Sequence, residues 1–348
     1  MSTSRTGAPR LPALLRPRFG GGRGAAPLPG PVPAPRRPAA GPAPAPPPAT
    51  SPVRPPRRPA AGPVRAASAW LPTAPCSPRG CLESGRPWTG APRAVPRLAA
   101  LLAVAVLGLA LIPLIGRLRV PSRQRCIRRW CLALVRAAGV RTRITGAAPP
   151  VGGTLIVSHH VSWLDIPLLA AVRPARMVAK TEVRAWPAVG ALAARGGTFF
   201  IDRDRLRALP GTVDRIAAAL RAGSAVAAFP EGSTWCGRAH GRYRRALFQA
   251  ALDAGVPVQP VRIRYRSADG AVSTAPAFVG EDSLLASLWR VVSARGLVAE
   301  VSLRPPIPAG SHPDRRSLAE AAQGGFPSPA PRAGAHPGHP RAVPRPAA

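Results

Sequence analysis

Val157-Ser158-His159-His160-Val161-Ser162-Trp163-Leu164-Asp165-Ile166-Pro167 is the stretch on which the reading of this chain turns. It follows an apolar run, Thr154 to Val157, that reads as a buried strand. Within it, His160 and Asp165 make an H-x-x-x-x-D pattern. A histidine near its ordinary pKa can take a proton from a hydroxyl, and a carboxylate can fix its tautomer and stabilise the imidazolium that forms. Across a strand end and a helix start, the two can fold back to touch. The plainer reading of Asp165 is a capping box, Ser162-x-x-Asp165, ahead of the apolar run Ile166 to Val172. Pro167 argues against that box, because it would fall where a helical N–H is needed. A start near Leu164 or Asp165 puts Pro167 inside the first turn, where the missing donor costs little.

Outward from this stretch, Thr154 to Leu303 alternates between strand and helix patterns. Thr154–Val157, Met177–Ala179, Thr198–Ile201, Ala225–Phe229, Val258–Tyr265 and Val298–Leu303 read as strands. Val213, Ile216, Ala217 and Leu220 mark one helix face, ended by Gly223; Leu284, Leu288, Val291 and Val292 mark another. This alternation predicts a single α/β catalytic domain, a mixed sheet covered by helices, over residues 117–310.

The flanks read differently. Residues 1–92 are rich in Pro, Ala, Gly and Arg with a single acid, Glu83, and are expected to be a disordered tail, a passive one or one that lies ahead of the true start of translation. Residues 311–348 return to the same composition and are expected to be a second loose tail. Leu98 to Gly116 carries no charge over nineteen residues, close to the ~20 that span a bilayer. Arg117, Arg119, Arg123, Arg125, Arg128 and Arg129 follow at once, with Trp130 placed for headgroup depth. A membrane helix with the catalytic domain on the cytoplasmic side is the expectation; a buried or interfacial helix is the alternative.

The 348 residues hold 48 prolines and 34 glycines, and of 49 basic residues only Lys180 is a lysine. Such a bias in Pro, Ala, Gly and Arg points to codon usage, so the net charge of +35 overstates any partner signal. An electrostatic partner would be anionic, such as a lipid surface, and no nucleic-acid module accompanies the charge. Five cysteines, with no C-x-x-C pair and no zinc spacing to histidine, read as a reducing compartment and no structural metal.

Three further stretches fall with His160–Asp165 at the ends of expected strands, where α/β folds place their sites. Gly197-Thr-Phe-Phe-Ile-Asp-Arg203 ends on an arginine able to fork onto an oxyanion, unless it is simply solvated beside Arg205 and Arg207. Phe229-Pro-Glu-Gly-Ser-Thr234 runs from a strand into a rigid turn presenting Glu231, which can orient a hydroxyl or hold an arginine. Val256-Pro-Val-Gln-Pro-Val261 is apolar, and also reads as an ordinary strand entry.

In this order and spacing the four stretches resemble the sequence blocks of the glycerolipid (lysophosphatidic acid) acyltransferases, over roughly residues 98–305. Lys180, before Trp186-Pro-Ala-Val-Gly190, sits where that family carries a lysine. The resemblance implies that His160 is the general base with Asp165 as its partner. It further implies that Arg203, with Lys180 and the Gly197 block, holds the acceptor's phosphate, and that Glu231 and Gly232 complete the acceptor site. The implied reaction moves a fatty acyl group from acyl-CoA or acyl-acyl carrier protein to the hydroxyl of a membrane lyso-lipid such as lysophosphatidic acid, without metal or other cofactor. Chemically, an activated thioester needs only a deprotonated hydroxyl and a bound anion to position it.

Two positions depart from the family's pattern: His159 stands where asparagine is usual, and Ser233-Thr234 replaces a Thr-Arg pair, removing one cation. The second departure keeps a lyso-aminolipid acceptor open as an alternative. A hydrolase has no G-x-S-x-G elbow to support it, and nothing marks Cys236 as a nucleophile. A non-enzymatic arginine-rich membrane or nucleic-acid binding protein would not require four ordered blocks.

Overall fold

A computed structural model of the chain describes residues 73–83, 90–186, 189–203 and 205–324. The disorder expected of 1–72, 84–89 and 325–348 lies outside the described residues.

The apolar run before the two histidines is strand β2 (Thr154–Ser158), buried at every position. Ile156 faces one hydrophobic cluster and Leu155 and Val157 face the other, as the alternation of a strand requires. Full burial of such side chains stabilises by roughly 1.5–3 kcal/mol each, so β2 is the strand from which both layers of the core are hung. Its neighbours are β6 (Val258–Arg266) and β5 (Ala225–Ala228), both parallel to it. Beyond β5 come β3 (Arg176–Lys180) and then β4 (Phe199–Ile201), also parallel. On the other side β7 (Val298–Leu303) runs antiparallel to β6 and pairs in parallel with β1 (Arg141–Thr145). The sheet order is β1-β7-β6-β2-β5-β3-β4, a mixed sheet as expected. Because β2, β3, β4, β5 and β6 share one direction, their carboxyl ends emerge along one edge.

Helices cover both faces. On one side α6 (Leu209–Arg221) buries Val213, Ile216, Ala217 and Leu220, the face read from its spacing, beside α7 (Ala246–Ala254). The other side carries α4 (Asp165–Val172), α8 (Leu284–Ser293) and α3 (Val120–Ala137). Short α5 (Val189–Arg195) precedes β4.

Helix α2 (Ala91–Gly116) is longer than the uncharged core at 98–116. Its hydropathy reaches 2.8 over the most apolar window, 6% of that window is buried, and by length and composition it is apolar enough to cross a membrane. The helix is tied to the domain at two places. Arg97 donates to the Val292 and Ala294 carbonyls at the end of α8, at 2.9 and 2.7 Å. Trp130 of α3 lies across α2 rather than at its end: its Nε1–H donates to the Val104 carbonyl at 2.8 Å. Gly108 makes this crossing possible, since a Cβ there would stand 2.0 Å from Trp130 Nε1.

Both domain boundaries move outward from the expected ones. Helix α9 (Arg315–Gly324) lies past residue 310 and buries Leu318, Ala319 and Ala322 in the α6–α7 cluster. Residues 73–83, counted with the loose tail from composition, include α1 (Pro78–Cys81), and Cys76 and Cys81 join the core under α4 and α8. Glu83 exchanges hydrogen bonds with Thr274, its Oε1 accepting the Thr274 N–H at 2.8 Å and its own N–H donating to Oγ1 at 3.2 Å. Composition missed both pieces because each contributes a few small apolar side chains rather than a periodic face.

Candidate active site

Past Ser158 the chain leaves the sheet, and α4 begins at Asp165 with Leu164 as its cap residue, so Pro167 sits in the first turn where no donor is lost. The turn between is held by the carboxylate of Asp165. Its Oδ2 accepts the backbone N–H groups of Val161 at 2.7 Å and Ser162 at 2.8 Å, and lies 2.9 Å from His160 Nδ1. Its Oδ1 accepts the Tyr265 hydroxyl from the end of β6 at 2.6 Å. A fully buried carboxylate is tolerated when donors surround it, and here four do so. A carboxylate oxygen accepts, so Nδ1 is the ring atom of His160 that Asp165 engages, and the opposite ring edge carries Nε2. The His160 side chain remains 21% exposed, and its ring stacks on Phe229 at 4.0 Å.

Glu231 reaches the same turn through the sheet register. Val157 pairs with Ala228, and continuing that register brings His160 beside Glu231. The His160 N–H donates to Glu231 Oε2 at 3.0 Å, and the Gly241 N–H donates to Oε1 at 2.9 Å. Gly232 follows with φ +73°, a left-handed conformation, and its N–H closes the turn on the Phe229 carbonyl at 3.1 Å.

His159, next to the exposed histidine, points the other way and is 2% exposed. Its Nδ1 lies 2.7 Å from Glu231 Oε1, with the His240 ring at 4.1 Å and the Tyr243 ring at 5.1 Å. Burial pushes the Glu231 carboxyl up to about 8, against the pull of the His160 and Gly241 N–H groups. Burial pushes His159 down to about 4, with the charge of Arg262 adding to it. The pair therefore holds one proton between Nδ1 and Oε1 over that range, as one coupled unit. His159 is thus occupied with Glu231, and His160 is the histidine whose ring reaches solvent.

His160, Asp165 and Glu231 are joined in one hydrogen-bonded turn. Lys180 and Arg203 are placed at the same sheet edge but further along it: Lys180 ends β3 opposite Ile201, and Arg203 follows β4. Burial lowers the Arg203 pKa, Glu182 raises it and Arg244 lowers it, so this second group holds charges of both signs. Gly197 is not part of it. It lies at the entry to β4, away from the carboxyl edge, with φ +69° and its carbonyl accepting Arg176 Nε–H at 2.8 Å. The glycine is there for the turn out of α5. Val256 to Val261 is the ordinary entry to β6.

Sequence reading missed Tyr265 and Phe229 as members of the site. The chain has two tyrosines, and both lie here, Tyr243 against His159 and Tyr265 on Asp165. That scarcity was the available signal.

A partly exposed histidine backed by a buried carboxylate, at the carboxyl edge of a mixed α/β sheet, is an arrangement chemically able to take a proton from a hydroxyl. The Acyltransferase family matches residues 140–264. A lyso-ornithine lipid O-acyltransferase of Pseudomonas aeruginosa is 39% identical over 66% of this chain and 91% of its own length. A 1-acyl-sn-glycerol-3-phosphate acyltransferase of Neisseria meningitidis serogroup B is 32% identical over 57% of this chain and 77% of its own. The crystal structure of the 1-acyl-sn-glycerophosphate acyltransferase of Thermotoga maritima matches with a TM-score of 0.48 at 17% identity, covering 67% of this chain and 93% of that one. The chain belongs to the glycerolipid acyltransferase family and is an acyltransferase.

Proposed function

We propose that the protein transfers a fatty acyl group from an acyl thioester, of coenzyme A or acyl carrier protein, to the hydroxyl of a membrane lyso-lipid, with a lyso-ornithine-type aminolipid as its acceptor. His160 Nε2 takes the hydroxyl proton as the oxygen attacks the thioester carbonyl. The new ester bond forms, the carbon–sulfur bond breaks, and the proton returns to the departing thiolate. Asp165 holds the tautomer that makes this possible and stabilises the imidazolium. Glu231, in this reading, is a positioning residue that holds the backbone of His160. The observation that carries the reaction is the Asp165 contact on His160 Nδ1 with the other ring edge left open. Helix α2 holds the site at the membrane, with the arginines after it on the cytoplasmic side.

Two observations favour the aminolipid. The relative that acts on lyso-ornithine lipid is similar over nearly its whole length. The head-group edge lacks the family's third-block arginine, having Thr234, and places Glu182 with Arg203 and Arg244. A carboxylate and an ammonium on one head group suit a site of mixed sign, whereas a phosphate monoester is best held by cations alone. A lysophosphatidic acid acceptor is the second reading, supported by Arg203 and Arg244 and by the Neisseria relative. The test supplies purified membranes with lyso-ornithine lipid, lysophosphatidic acid and one isotopically labelled acyl thioester, and identifies products by mass spectrometry. Labelled ornithine lipid as the main product is expected. Labelled phosphatidic acid as the main product would hand the assignment to the second reading, and labelled free fatty acid alone would defeat both.

A further inference from the structure

Three buried thiols take no part in acyl transfer. Cys76 precedes α1, Cys81 ends it, and Cys236 lies in the loop that begins with Phe229-Pro-Glu231. They are 5%, 4% and 2% exposed, and their Sγ atoms lie within 4.8 Å of one another. The sequence offered no zinc spacing because the ligands come from two distant segments, one of them in the stretch whose composition read as disordered.

All three belong to one buried apolar cluster as free thiols. Burying several thiolates together among Val161, Ala277 and Val279 is prohibitive unless a cation neutralises them. Zinc bound by thiolates at ~2.3 Å spreads them by roughly 3.8 Å, inside the 4.8 Å within which the three sulfurs already lie.

We propose that Cys76, Cys81 and Cys236 form a three-thiolate site for a zinc-class divalent ion, with the fourth position taken by solvent or another donor. Each thiol that ligates releases its proton to solvent. The ion would clamp residues 73–83 onto the active-site turn. The loop carrying Cys236 donates its Trp235 N–H to the His160 carbonyl at 2.8 Å, and Gly237 packs over Val161. On the far side, Glu83 holds Thr274, in the segment whose Phe278 N–H donates to the Val161 carbonyl at 2.9 Å. Residues 73–83 thus reach the turn by two routes, one through the Thr274–Phe278 segment and one through the thiol cluster and the loop carrying Cys236.

The test uses the full chain in detergent, purified from zinc-supplemented cells through a tag that binds no metal. Elemental analysis should find about one zinc per chain in the wild type and in Cys126→Ser, and loss of at least ~10-fold in Cys76→Ser and Cys236→Ser. Exchange of cobalt(II) into the wild type should give a thiolate-to-cobalt charge-transfer band, a readout that does not depend on any variant folding. Wild-type protein with neither zinc nor the cobalt band would overturn the site. So would zinc retained in both serine variants, or a disulfide from Cys236 to Cys76 or Cys81 found by intact mass after alkylation.

Discussion

Replacing Glu231 with glutamine should invert the pH dependence of stability, and the size of the change follows from the His159–Glu231 pair. In the unfolded chain the two groups titrate near 4.5 and 6.5; in the fold burial holds the carboxyl up to about 8 and the imidazole down to about 4. Between 4.5 and 6.5 the unfolded chain keeps one proton, on the imidazole, and the folded pair also keeps one, so stability is flat. Above 6.5 the unfolded groups hold none while the folded pair keeps its proton up to about 8. The native state then binds more protons, so stability falls as pH rises, by about 2 kcal/mol across that window. Glutamine cannot titrate, which removes this alkaline loss. What remains is His159 with its depressed pKa, so stability of Glu231→Gln should instead fall as pH drops below 6.5. A constant offset of about 1–3 kcal/mol accompanies the change, because glutamine has one acceptor oxygen where the two oxygens of Glu231 accept the Gly241 and His160 N–H groups. Chemical denaturation in detergent, wild type against variant across this pH range, compares slopes and cancels the offset. Two parallel profiles would show that the pair does not share a buried proton, and the assignment of His159 to a supporting position would go with it.

Asp165→Asn and His160→Ala should each lower kcat by a factor of ~10²–10⁴ with the acceptor KM nearly unchanged, measured by acyl transfer from labelled thioester. His159→Ala should show mainly in the denaturation midpoint, because it strands the Glu231 carboxyl without its nearest partner. Tyr265→Phe removes one of four donors to Asp165 and should cost about 1–3 kcal/mol of stability, with activity falling far less than in Asp165→Asn; equal activity losses in the two would show that the hydroxyl, not the charge, sets the histidine. Gly108→Leu should part α2 from α3, since the new side chain meets the Trp130 indole, and it should show as raised protease cleavage between the two helices. Arg203→Ala should raise the KM for the lyso-lipid and leave that for the donor unchanged, the sign of lost acceptor binding.

What was legible in the sequence depended on how much of an element's burial is periodic. Strands β2, β5, β6 and β7 are lined by Val, Ile, Leu and Ala, and their ends were read to within a residue or so. Strand β1, Arg-Thr-Arg-Ile-Thr, went unread because it sits at the sheet edge with four of five residues exposed. Helix α3 was read as a basic flank to α2, since its arginines hide the buried positions Cys131 and Val135. The H-x-x-x-x-D spacing was sufficient to place His160 on Asp165, because a strand end and a helix start leave little freedom between them. Tyr265 and Phe229 could not be tied to the site in advance, being brought to it by sheet pairing rather than by spacing. Gly197 was carried along with its block, although only the far end of that block reaches the carboxyl edge.

Two histidines in succession raise the question of which one reaches solvent, and strand geometry answers it. Consecutive residues leaving an extended strand point to opposite sides, so one of the pair must face the core whenever the strand is central. Strand β2 is buried on both faces, and His159 inherits the inner direction toward Tyr243 and His240. An imidazole there is costly to protonate, and Glu231 offers it a hydrogen bond that leaves the pair neutral. His160 inherits the outer direction, where Asp165 can support an imidazolium and the ring edge stays accessible. The carboxylates are divided by the same logic. Asp165 meets two backbone N–H groups, a hydroxyl and an imidazole, and serves to hold the turn and the His160 ring. Glu231 lies where desolvation is the largest influence and serves to hold backbone. Adjacent residues of one type therefore do different work because the sheet buries one and releases the other.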